Sequence, residues 1–65
     1  MKNYTFPITE EYPESAVYTQ IQEWLSANNN PLHTLIKPDQ AIVMILEDDT
    51  VAARFESTWT GPPYI

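Results

Sequence analysis

Six consecutive apolar residues, Ala41-Ile42-Val43-Met44-Ile45-Leu46, constrain this chain more than any other stretch. The run is far too short to cross a bilayer, which takes about 20 apolar residues in a helix. It reads as a strand buried on both faces, or with one face on the core and the other turned toward a partner. The acidic triplet Glu47-Asp48-Asp49 follows it. Beyond the triplet, Val51, Ala53 and Phe55 alternate with Ala52, Arg54 and Glu56. That period of two predicts a further strand over 51–56, with the triplet as a hairpin turn, one that lacks the Gly of the strongest hairpin turns.

The remaining elements follow from periodicity and punctuation. Tyr4, Phe6 and Ile8 alternate with polar residues and Pro7, which predicts a first strand over about 2–8, short or at a sheet edge because Pro7 has no N–H to donate. Pro13 suits a first helical position and Glu14 complements the helix dipole. Val17, Ile21, Trp24 and Leu25 then form one apolar stripe at helical spacing, with Tyr18 on its flank. Asn28-Asn29-Asn30 followed by Pro31 should end that helix, since Asn tolerates the left-handed conformation and Pro blocks continuation. Residues 32–36 read as a short strand or an irregular turn. A β-turn at Lys37-Pro38-Asp39-Gln40 favours a strand at Thr34–Ile36. The expected fold is therefore a small two-layer α+β domain over residues 1–65. It has the order β-α-β-β-β and one amphipathic helix on a short antiparallel sheet, followed by an aromatic and Pro-rich tail over 57–65.

Sixty-five residues bury only about 60% of the unfolded chain's surface, so such a domain needs reinforcement. Disulfides, thiolate zinc sites and cysteine nucleophiles are excluded by the lack of cysteine, and His33 is the only histidine. What remains is oligomerisation or an aromatic core built from two Trp, four Tyr and two Phe. Nine acids against Lys2, Lys37 and Arg54 give a net charge of -6. That argues against direct binding to nucleic acid or an anionic membrane and favours basic partners. The first residues lack the apolar run of a signal sequence, so a cytoplasmic location is the expectation.

Catalytic signatures are missing from the sequence. With one glycine in the chain, Gly61, there is no phosphate-cradling glycine loop, no Gly-x-Ser-x-Gly elbow and no His-Glu-x-x-His. The acidic triplet fails the calcium-loop pattern. The expectation is a non-enzymatic protein with no cofactor and no metal. It would be an interaction module, a regulator or inhibitor that docks on another protein, itself a homo-oligomer such as a dimer. Two other readings stay open: a nucleic-acid mimic that occupies a basic cleft, and a purely structural subunit of a homo-oligomer. The expected partner surface combines Glu47, Asp48 and Asp49 with Trp59 and Tyr64, because carboxylates attract a basic partner and Trp and Tyr dominate interface hot spots.

Overall fold

The computed structural model describes residues 1–65. Five elements follow one another: β1 (Lys2–Pro7), α1 (Glu14–Ala27), β2 (His33–Ile36), β3 (Ala41–Leu46) and α2 (Asp49–Thr58). The three strands form one antiparallel sheet in the order β1-β3-β2, so the apolar run lies in the middle. Tyr4 faces Met44 and Phe6 faces Ile42 across β1–β3, while Leu35 faces Met44 across β2–β3.

The expected α+β class, the antiparallel sheet and the helix stripe all hold. Val17, Ile21, Trp24 and Leu25 are the buried residues of α1. The helix ends where the asparagines stand: Asn29 and Asn30 adopt φ of 65° and 48°, and the Asn30 N–H donates back to the Leu25 carbonyl at 2.6 Å. The ambiguous 32–36 stretch contributes a true strand, β2.

One element differs. Residues 51–56 lie within α2 and do not form a strand. The Glu47-Asp48-Asp49 triplet is accordingly a helix start and not a hairpin turn. Asp48 is the N-cap, and its Oδ1 accepts from the N–H groups of Thr50 (2.7 Å) and Val51 (3.3 Å). Such a cap satisfies donors that the first turn leaves without partners. Ala52 and Phe55 are the buried residues of α2, with Val51 and Trp59 packed partly beside them. This is a helical spacing, and it competes with the alternation over the same residues.

Both helices lie on one face of the sheet. Their buried side chains join Tyr4, Phe6, Ile42, Met44 and Leu46 in a single core of 11 residues. Phe55 sits at its centre, with ring centroids 4.7 Å from Tyr4, 4.8 Å from Trp59, 5.2 Å from Trp24 and 5.5 Å from Tyr64. Aromatic rings thus supply much of the reinforcement that a chain without disulfides needs. The tail closes the structure: Trp59 Nε1 donates to the Pro62 carbonyl at 2.7 Å, and the Ile65 N–H donates to the Thr5 carbonyl at 2.8 Å.

Candidate interaction surface

In a strand, successive side chains point to opposite faces. In β3, Ile42, Met44 and Leu46 are buried under the helices, which leaves Ala41, Val43 and Ile45 on the opposite, outer face. The register adds Asn3, Thr5 and Pro7 from β1 and Thr34 and Ile36 from β2 to that face. None of these eight residues is charged. Val43 and Ile45 are half-buried by their strand neighbours, and Ile36 is 48% exposed. In a chain of net charge -6 this is an uncharged face with an apolar centre. Acids stand beside it, Asp39 in the β2–β3 turn and Glu47 just after β3, both exposed.

The two sheet edges differ. Along β1, the outer edge carries the tail through the Ile65–Thr5 hydrogen bond. The far side of β2 has no backbone partner: beyond β3, no hydrogen bond joins the main chain of residues 33–36 to another segment. Beside it, Glu14, Tyr18, Leu35, Ile36, Lys37 and Ile42 line a shallow groove of about 320 Å³ between α1 and the sheet. Lys37 Nζ and Glu14 Oε2 pair across one end at 2.6 Å. A larger concavity of about 680 Å³ lies on the exposed flank of α1 alone and is open to solvent. His33 Nδ1 donates to the Pro31 carbonyl at 2.8 Å.

The five residues expected at a partner surface are divided by the fold. Glu47 is exposed and makes no hydrogen bond through its side chain. Asp48 is engaged as the α2 cap. Asp49 Oδ1 accepts from the Met1 amine at 2.6 Å, and that bond lowers its pKa below the usual carboxylate value. Trp59 and Tyr64 are brought together with Phe6 and Phe55 in the aromatic cluster and are part of the core's wall. No hydrogen bond joins the acidic triplet to Trp59 or Tyr64.

A polar network links β1 to α2. The Tyr4 hydroxyl donates to Glu56 Oε2 at 2.6 Å, and Lys2 Nζ reaches the same oxygen at 3.2 Å. Burial, then the bond to Glu56, pushes the Tyr4 phenol well above its ordinary pKa. The Tyr4 bond, then Lys2, lowers that of Glu56. This network is a clamp between β1 and α2.

No known family model, curated protein or solved structure matches this chain.

The sequence alone does not single out the outer face and the β2 edge residue by residue. A signal was present: the 41–46 run is apolar at odd and even positions alike, whereas the tail aromatics and the helix stripe can cover only one side.

Proposed function

We propose that this chain is a non-enzymatic interaction module that docks on another protein through the outer face of its sheet. The carrying observation is the uncharged face with Val43 and Ile45 at its centre, Ile36 toward the β2 edge, and Asp39 and Glu47 beside it. Apolar centres with polar rims are the usual anatomy of protein interfaces. The acids around the face, in a chain of net charge -6, favour a basic partner and fast electrostatic encounter. Trp59 and Tyr64 support the fold in this reading, and Glu47 is the member of the acidic triplet free to meet the partner. The chain works as a homo-oligomer in the cytoplasm. No helix is long and apolar enough to cross a membrane.

The test is capture of partners from native lysate by the tagged chain and by its Val43→Glu variant, at low and high salt. Val43 lies on the outer face, so the variant keeps the core. The expected result is a stoichiometric partner that survives high salt and is lost with Val43→Glu. Equal capture by both proteins refutes docking on this face. A basic nucleic-acid-binding partner that is released by salt and indifferent to Val43→Glu would instead support mimicry of a nucleic acid.

A further inference from the structure

We propose that two copies of this chain pair through β2, antiparallel about a two-fold axis at Thr34, to make one continuous six-stranded sheet. The pairing rests on the reading of the chain as a homo-oligomer and is independent of which protein docks on the outer face.

The first ground is the edge itself. Strand edges offer a row of unpaired N–H and C=O groups that another strand can take up. The β1 edge is engaged by the tail at Thr5 and carries Pro7, which has no N–H to offer, whereas no segment bonds the outer side of β2, the freer edge of the sheet. A two-fold contact uses up the β2 edge of both copies and leaves outside only the β1 edges, each engaged by the tail at Thr5 and interrupted by Pro7. The assembly therefore closes as a dimer and does not propagate.

The second ground is charge. The nine acids stand at 10, 11, 14, 23, 39, 47, 48, 49 and 56, which leaves Trp24–Pro38 as the longest stretch without one. β2 lies inside it, and the acid that lines the groove beside this edge, Glu14, is neutralised by its pair with Lys37. Two chains of charge -6 repel each other over most of their surfaces, and like charges placed opposite each other across strands destabilise the pair. Pairing at β2 sets no acid against an acid within the strands.

The third ground is register. A two-fold axis normal to a sheet pairs residues of the same face, so the axis must pass through a residue position. Centred on Thr34, it sets Thr34 opposite Thr34, His33 opposite Leu35, and Leu32 opposite Ile36 of the second copy. Leu32 and Ile36 are 76% and 48% exposed, among the most exposed large apolar side chains in the molecule. Leu32 lies in the bend just before β2, so the pairing extends the strand by one residue; each apolar side chain then covers the other, and the row Thr5–Val43–Ile36 continues across the seam to Leu32 of the second copy. An axis through Leu35 would set Ile36 opposite Thr34 and leave Leu32 facing Pro38. Pro31 and Pro38 confine pairing to the residues between them.

So short a seam belongs at the small end of specific interfaces, below about 1,200 Å². Sedimentation equilibrium over about 10 μM to 1 mM suits the weak association expected of such areas. The wild-type chain should pass from monomer to dimer in that range. Ile36→Lys, whose side chain leaves the core untouched, should weaken the dimer at least about tenfold with unchanged circular dichroism. Because the chain has no cysteine, Thr34→Cys and Ser57→Cys place single thiols at the seam and on exposed α2. A short bis-maleimide should link Thr34→Cys into dimers at least about tenfold faster than Ser57→Cys, since residues on the axis stand about 5 Å apart. A wild-type chain that stays monomeric to the top of the range overturns both the homo-oligomer reading and the pairing. A dimer that links no faster through Thr34→Cys than through Ser57→Cys, or that is indifferent to Ile36→Lys, leaves the oligomer standing and overturns pairing at β2.

Discussion

At the scale of single residues, Tyr4 joins stability to pH from both sides. Its hydroxyl, buried against α2, donates to Glu56 at 2.6 Å and approaches the Ala52 carbonyl at 3.3 Å. The Tyr4 pKa is raised in the fold, so the stabilisation is complete below the unfolded value of about 10 and is lost as pH climbs beyond it. The Glu56 pKa is lowered, so its share is present above the unfolded value of about 4.3 and is lost as pH falls through and below it. Tyr4→Phe should therefore lower the denaturation midpoint at pH 7 and, relative to wild type, lose less on going from pH 9 to pH 11. Urea titrations at pH 4, 7, 9 and 11 read this directly. Equal losses for both proteins above pH 9 would show that Tyr4 does not govern the alkaline limb. Gly61 presents a different residue-scale constraint. A Cβ there would stand 2.6 Å from the Trp59 ring, which is held by Phe6, Phe55 and the bond to Pro62. Gly61→Ala should cost about 1–3 kcal/mol through overpacking, and near-ultraviolet circular dichroism should show the indole displaced. An unchanged melting midpoint would mean that the tail yields freely.

Among the elements, α2 shows where sequence reading and fold part company. The residues of β1, α1 and β3 are legible because each carries one dominant period: two in Tyr4-Phe6, about 3.6 in Val17-Ile21-Trp24-Leu25, and an unbroken apolar run in 41–46. Over 51–56 both periods fit, since Val51, Ala53 and Phe55 alternate while Val51, Ala52 and Phe55 fall on one helical face. The arbiter is local and lies upstream. Asp48 followed by Asp49 is an N-cap with an acid in the first turn, a start signal that a hairpin turn does not need. The candidate surface is less legible than the core, because it depends on which face the second helix covers, and the alternation over 51–56 predicts a strand there. Asp48→Ala should cost about 1 kcal/mol, the usual loss for removing such a cap. Denaturant titration measures it, and a change within error would deny the cap its role. The β2–β3 turn offers the opposite sign. Gln40 holds φ of 55°, a conformation that strains a side chain. Gln40→Gly relieves that strain at some cost in unfolded-chain entropy, for a net gain of about 0.5 kcal/mol.

For the molecule as a whole, stability draws on one face of a thin sheet, and the proposed docking surface is the opposite face. All 11 core residues lie on the helix-covered side of the sheet, and none lies on its outer face. A chain of 65 residues has a total stability of about 3–10 kcal/mol. Removing a buried phenyl ring costs about 3–5 kcal/mol, a large share of that total. Phe55 is the critical case, because its ring touches β1 through Tyr4 and Phe6, α1 through Trp24, and the tail through Trp59 and Tyr64. Loss of that ring unties three segments at once, among them the tail, whose Ile65 N–H bonds the Thr5 carbonyl on the β1 edge. Phe55→Ala should therefore abolish or nearly abolish cooperative unfolding and expose β1 to aggregation, whereas Phe55→Leu, closer in volume, should keep a cooperative but lower melt. Leu32→Ser, on the exposed side of the molecule, should change the melt of the monomer at low concentration by no more than about 0.5 kcal/mol. Thermal circular dichroism of the three variants separates the faces. A Phe55→Ala protein that melts like Leu32→Ser would mean that the core does not converge on Phe55.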